Sequence, residues 1–459
     1  MKYSTVNEVY KKAKNLECKT FGEIDTKGRL DNKGNKGGYG HVIEESHFGY
    51  EINSDRNPDF NEAGIEMKVT PFRENRNGSF SAKERLVLNI INFHTEIQKT
   101  FIDSDFWRKN EMLLLIFYLY EEELDRADQV IKKVLLYEYP ETDFRIIKQD
   151  WQTIVDKIRA GKAHELSEAD TMYLGACPKG ANRATGMVSQ PNSDELAMRR
   201  ACAFKQSYMT KLVRKFVTGD DEDERIITDI SDLETYSFEN VIRKRLKPFM
   251  WISREELKER FDVSGNAKNI NEVLLARMLG VSGKLSNTEE FRKANIIPKT
   301  IRVNHDGSIT ESMSFKPFRF EEIVNESWED SSLRNHFEKT KFLFVIFKYD
   351  SDGNLRFRDI KLWNMPLSDL DEHVKKVWFK TKILISEGKI IKRITDKRIY
   401  NHFPDKSDNP VAHVRPHAIN RQDTYPLPVP DKKTGWTNFT KQSFWLNNYY
   451  ILRQISDLL

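Results

Sequence analysis

Asp59, Glu66 and Lys68 carry the first arrangement in this chain that could do chemistry. Glu66 and Lys68 are two residues apart in an apolar run that reads as a strand, so their side chains project from one face. Asp59 comes from the loop or strand end before them and can converge on that face. Two carboxylates and an ammonium at a sheet edge suit hydrolysis of a phosphodiester. The carboxylates would hold Mg²⁺ together with phosphate oxygens and water, and Lys68 would orient the attacking water or meet developing charge. Glu45 lies upstream on an expected helix, Tyr39 to Tyr50, and could add a third carboxylate, with Glu44 beside it as the competing position. In a chain with 70 acidic and 74 basic residues, such a string also arises on an ordinary solvated surface, so it needs support from the rest of the sequence.

Other chemistries find no footing. The loop Gly34-Asn35-Lys36-Gly37-Gly38-Tyr39-Gly40 lacks the Gly-Lys-Ser/Thr ending of a phosphate-binding loop and matches no dinucleotide fingerprint. His413 and His417 are close, but further zinc ligands are missing. Cys18, Cys177 and Cys202 are far apart and form no CxxC pair, as expected in a reducing compartment.

The elements that must position the site are written twice. Ala63-Gly64-Ile65-Glu66-Met67-Lys68 aligns with Ala294-Asn295-Ile296-Ile297-Pro298-Lys299. The turn signals Asn77-Gly78 and Asp306-Gly307 follow, then the apolar runs Leu113–Tyr120 and Phe342–Tyr349. Trp151 precedes Gly161-Lys162 by the interval that separates Trp378 from Gly388-Lys389. Pro178-Lys179-Gly180-Ala181-Asn182-Arg183 matches Pro416-His417-Ala418-Ile419-Asn420-Arg421, and Lys205-Gln206-Ser207-Tyr208 matches Lys441-Gln442-Ser443-Phe444. Six matches in one order imply two tandem α/β domains, each a central mixed sheet flanked by helices. The expected division is residues 1–216, an acidic linker at 217–235, and 236–459. Within the first copy, residues 64–72, 112–120 and 131–138 read as strands and 143–160 as a helix. Ser81 to Glu84 reads as a capping box opening a helix with Leu86, Ile90, Phe93 and Ile97 on one stripe. The second copy has Ile297 where the first has Glu66, so it is expected not to cut.

A partner is suggested by the loop at Pro178-Lys179-Gly180-Ala181-Asn182, which follows a short apolar stretch and could enter a DNA groove, with Lys179 facing guanine acceptors. The segment holding Arg199, Arg200, Lys205, Lys211, Arg214 and Lys215 is expected to be a helix that meets phosphates. A solvated basic face is the plainer account of that segment.

With Lys109 at the entry to the apolar strand, these residues resemble the MutH group. The chain is similar throughout to the two-domain, Sau-type restriction endonucleases of that group, notably in Lys83–Asn92 and Gly161–Glu168. The resemblance implies a restriction-endonuclease-like fold, Mg²⁺ dependence and cleavage of double-stranded DNA at GATC. It implies a non-cutting second domain that binds another DNA site and activates the first, with pairing of two chains on DNA left open. By position, Glu45, Asp59, Glu66 and Lys68 would be catalytic, with Asp59 and Glu66 the metal ligands. Lys109 would support the site, Lys179 would read a base, and an aromatic base contact would fall near Phe204 or Tyr208. A mismatch-repair nickase and a non-catalytic DNA-binding regulator are the rival functions; the second copy argues against one and the intact acidic set against the other.

Composition agrees with a globular, membrane-free protein: 39% apolar and 31% charged residues, net charge +4. The longest apolar run, Met112 to Leu119, cannot span a bilayer, and the first residues carry no secretion signature, so the cytoplasm is the expected compartment.

Overall fold

The computed structural model describes residues 3–32, 37–52, 57–180, 186–220, 223–265, 269–395 and 398–459. The chain forms two compact units: Met1–Val241 with Val281–Ile296, and Ile242–Gly280 with Ile297–Leu459. It is an α/β chain whose several sheets are flanked by helices.

In the first unit, α1 (Val6–Lys14), α2 (Phe21–Ile24) and α3 (Gly38–Val42) precede β1 (Ile65–Glu74), β2 (Phe80–Ala82) and β3 (Leu86–Ile90). Then come α4 (Phe93–Glu96), α5 (Asp105–Asn110), β4 (Met112–Leu119), β5 (Val130–Tyr137) and α6 (Glu141–Arg159). The strands β6 (Leu174–Pro178), β7 (Met187–Gln190), β8 (Ser193–Met198) and β9 (Arg200–Phe204) lead into α7 (Gln206–Leu212). The main sheet has the order β2-β1-β4-β5, with β1 parallel to β4 and the outer pairs antiparallel. Leu113 to Phe117 of β4 are buried without interruption, as a central strand covered on both faces requires. The amphipathic α6 buries Ile146, Trp151, Ile154 and Ile158. It ends at Gly161, whose φ of +74° and close approach to the Asn192 carbonyl exclude a side chain.

One expected helix is a strand, and another begins as one. Residues 86–90 form β3, paired antiparallel with β9, because Leu86 and Leu88 alternate inward with the period of a sheet. Only Phe93–Glu96 is helical there, capped by the Asn92 side chain accepting from the N–H groups of His94 and Thr95. The basic segment starts as β9, the middle strand of the sheet β3-β9-β6, and turns helical only at Gln206. The acidic linker is partly embedded in the first unit. Asp223 pairs with Lys211 and Arg292, and Ile226 is buried.

The second unit contains β10 (Ile296–Val303, its first residue shared with the other unit), β11 (Met313–Ser314), β12 (Lys341–Tyr349) and β13 (Leu355–Trp363). The helix α8 (Lys375–Ser386) precedes β14 (Ile391–Ile394), β15 (Ile399–Asn401), β16 (Ala412–Pro416), β17 (Thr424–Pro426), β18 (Asn438–Thr440), β19 (Gln442–Leu446) and α9 (Asn448–Ile455). Its sheets run β10-β12-β13 and β11-β19-β16, as the first unit's run β1-β4-β5 and β3-β9-β6. Smaller features recur as well. Gly388 follows α8 with φ +62° and lies against the Pro430 carbonyl as Gly161 lies against Asn192. Cys18 and Trp251 both adopt left-handed backbone angles before capped helices. Tyr208 donates to Asp143 (2.9 Å) and Tyr450 to Asp369 (2.7 Å). Thus Tyr208 corresponds to Tyr450, not to Phe444: β9 ends at Phe204 opposite Leu174, and β19 ends at Leu446 opposite Ala412.

Candidate active site

A tight turn creates the site. Phe60 and Ile65 exchange backbone hydrogen bonds around Gly64, which supplies the left-handed φ of +68° that the reversal needs. Asp59 is thereby folded back along the start of β1. Its carboxylate accepts the Met67 N–H at 2.9 Å, and its own N–H donates to Glu66 at 3.2 Å. Glu66, only 2% exposed, accepts from Lys68 at 2.5 Å, and the Lys109 ammonium stands 3.6 Å from its other oxygen. Lys109 comes from the last turn of α5 and also donates to the Asn57 carbonyl at 3.1 Å. Asp59, Glu66, Lys68 and Lys109 therefore share one site.

Burial pushes the Glu66 carboxyl above the ordinary carboxylate range, and the Asp59 charge adds to this while the two lysines oppose it. The two ammonium groups neutralise a carboxylate that is otherwise costly to bury.

Glu45 is not in this site. Its carboxylate takes a two-pronged contact from Arg29 (2.6 and 2.7 Å), which holds it below the usual range. The neighbouring Glu44 faces the cluster instead. Burial raises its carboxyl to about 7, and the charges of Asp59 and Glu66 push the same way. The physical reason is a π-helical turn, Ile43–Phe48, which continues α3. Its wider winding alters which of two adjacent side chains points inward, and residue spacing alone does not reveal that. Among the described residues, no three His, Cys, Asp or Glu side chains are arranged to enclose a metal ion. Two carboxylates beside an open edge are still the donor set that Mg²⁺ uses when water and phosphate fill its remaining positions.

The DNA-reading candidates separate sharply. Lys179 is exposed at the end of β6, with its N–H bonded to the Arg199 carbonyl at 2.8 Å, so the exposed Arg199 stands next to it. Asn182 lies outside the described residues. The other four are interior groups. Arg200 is buried and donates to the Ala176 carbonyl. Phe204 is buried against Tyr208 and Tyr139. Lys205 donates to the Thr171 carbonyl at 2.5 Å, and the buried Tyr208 hydroxyl meets Tyr137 and Asp143. β-Strand alternation and the sheet's second layer consume these side chains, so in this structure they present nothing to a ligand.

Residues 48–150 match the family described as DNA mismatch repair enzyme MutH, a span that holds Asp59, Glu66, Lys68 and Lys109. Across its whole length the chain is 39% identical to the type II restriction enzyme Sau3AI of Staphylococcus aureus, covering 99% of that protein. The chain belongs to the MutH- and Sau3AI-like family of restriction endonucleases. It is accordingly a hydrolytic enzyme of the nuclease class. MutH proteins align with less than half of it. That of Actinobacillus pleuropneumoniae is 26% identical over 46% of this chain and 94% of its own length, and that of Shewanella woodyi is 27% identical over 39% and 77%. Among the described residues no helix is long and apolar enough to cross a membrane.

Proposed function

We propose that the first unit cuts both strands of DNA at GATC with Mg²⁺, and that the second is a non-cutting copy that binds another DNA site and raises the activity of the first. The observation that carries the cutting role is Glu66 buried between Lys68 and Lys109, with Asp59 locked beside it and Glu44 facing both.

Asp59 and Glu66 would hold the ion. Bound there, Mg²⁺ would act as a Lewis acid on the phosphate and help a water molecule shed the proton it must lose in attacking phosphorus. Lys68, now on Glu66, would offer its ammonium to the charge growing on the phosphate oxygens. Lys109, 3.6 Å from Glu66, favours its charged form and also donates to the Asn57 carbonyl. Glu44, poised near neutrality, accepts the proton that the attacking water gives up. Lys179, exposed just beyond the end of β6, reads a base edge, and Asn182, three positions on in the sequence, is the companion candidate.

For the second unit, support lies in what its equivalent elements lack. No carboxylate occurs in β10, Ile296 to Val303. The helix before the left-handed Gly280 carries Leu275 and Ala276 where the turn before Gly49 carries Glu44 and Glu45. Lys299 survives, but it donates to the Ser314 carbonyl rather than to an acid. The recurring sheet orders support a duplicated domain, with the boundaries 1–216 and 236–459 as the repeat in sequence.

Plasmid digestion by the full chain, with Mg²⁺ or with EDTA, followed by sequencing of the ends, tests the whole reading. Ends at GATC in the Mg²⁺ arm only are expected; metal-independent cutting or ends scattered over unrelated sequences would refute it. Nicking of one strand only would favour the mismatch-repair type.

A further inference from the structure

The sheets β3-β9-β6 and β11-β19-β16 end in the same way. In the first unit Lys179 follows the last β6–β9 pair and donates its N–H to the Arg199 carbonyl (2.8 Å), while the Arg199 N–H turns to the Gly186 carbonyl (2.7 Å). In the second unit His417 donates to the Lys441 carbonyl (2.9 Å), and the Lys441 N–H goes to the Asp423 carbonyl (3.1 Å). Lys179 thus corresponds to His417, Arg199 to Lys441, and Gly186 to Asp423.

The backbone is shared, but the charge is not. In the second unit the set is closed on itself. The Asp423 carboxylate pairs with Lys441, and His417 Nδ1 lies 2.9 Å from both the Phe315 carbonyl and the Ser443 hydroxyl. In the first unit Gly186 stands where that carboxylate would be. Lys179 and Arg199 are both exposed, and neither side chain has a hydrogen bond or ion pair among the described residues. Residues directly opposite in an antiparallel pair project from one face with Cβ atoms about 5 Å apart, so like charges there repel. A facing cation pair with no counter-ion, in a geometry whose duplicate carries one, calls for an anion from outside. Arg199 is also the one fully exposed cation of the stretch 199–215. Arg200, Lys205 and Lys211 are buried, and the half-buried Arg214 donates to the Phe80 carbonyl.

Building on a first unit that cuts DNA, we propose that Arg199 grips a backbone phosphate of that DNA, beside the base edge that Lys179 reads. A base edge is neutral and would leave the two cations repelling. A phosphate cancels the charge and offers two oxygens to the planar guanidinium fork. Such a contact carries no sequence information; it sets the register in which Lys179 meets its base.

The full chain is titrated onto a GATC duplex in EDTA, so binding is read without cleavage. Arg199→Ala, at an exposed position, should weaken binding roughly tenfold near physiological salt and make log Kd less steep in log salt by about one. The loss should be equal on a duplex with one base pair of the site exchanged. Among duplexes that each carry a single uncharged methylphosphonate, one should bind the unsubstituted chain more weakly and leave Arg199→Ala unaffected. Gly186→Asp, whose Cβ closely meets only the flexible end of Met198, installs the second unit's counter-ion and should match Arg199→Ala; Gly186→Ser should not. In Mg²⁺ the KM for cleavage by Arg199→Ala should rise with kcat unchanged. An unchanged salt dependence, no methylphosphonate position that distinguishes the two chains, or a loss confined to the intact GATC site would overturn the proposal. Failure of plasmid cutting with the EDTA pattern intact would refute the cutting role alone.

Discussion

Replacing Glu44 by glutamine separates the chemistry of the site from its stability. In the metal-free protein the carboxyl titrates at about 7 rather than near 4.5, chiefly through burial. A shift of that size corresponds to about 3 kcal/mol at 1.36 kcal/mol per pH unit. Because Glu44 is only half-buried, solvent screening reduces the expected effect to about 1–2 kcal/mol. The sign follows from proton counting. Between pH 4.5 and 7 the folded chain binds more protons than the unfolded one, so stability falls as pH rises through that window and stays reduced above it. Glutamine carries no such charge. Glu44→Gln should match the unsubstituted chain near pH 4.5 and exceed it by about 1–2 kcal/mol at pH 8, in urea unfolding with EDTA present. Cleavage in Mg²⁺ at pH 8 should fall by roughly a hundredfold, the usual range for a lost general base. A stability difference that is the same at both pH values would show that Glu44 does not face Asp59 and Glu66 as described. Full cleavage by the variant would remove it from the reaction.

Other outcomes follow from the same contacts. Glu66→Ala should abolish cleavage while gel-shift binding to a GATC duplex persists; loss of binding with the fold intact would contradict the assigned role. Lys179→Ala should weaken specific binding by about 1–3 kcal/mol, and equal discrimination between cognate and mismatched duplexes would reject the base-reading loop. Lys293→Met leaves Asp143 buried without the ammonium now at 2.7 Å, and should destabilise the protein by about 3–5 kcal/mol in denaturant unfolding. Gly161→Ala, which sets a side chain against the Asn192 carbonyl at φ +74°, should lower the melting temperature by several degrees.

Much of this molecule is visible in residue order because its strongest signals are local. The run Met112–Leu119 reads as a strand, α6 shows its apolar stripe, and Asp59, Glu66 and Lys68 lie within ten residues, so one turn brings them together. What stayed hidden depends on geometry that composition does not encode. Leu86 and Ile90 satisfy helical and strand spacing alike, and pairing with a strand more than a hundred residues away decides between them. The choice between Glu44 and Glu45 depends on one wide helical turn. Arg200, Lys205 and Tyr208 look like ligand-facing groups only until the carbonyls of Ala176 and Thr171 and the Asp143 carboxylate claim them.

The helix Glu289–Ala294 belongs to the first unit, where Lys293 bonds both Asp143 and Glu289. During synthesis, therefore, every acidic group of the candidate site has left the ribosome well before the lysine that neutralises Asp143. A host cell making this enzyme meets a nuclease that is unfinished until its chain is nearly two-thirds long, an interval in which the nascent protein lacks part of its own interior.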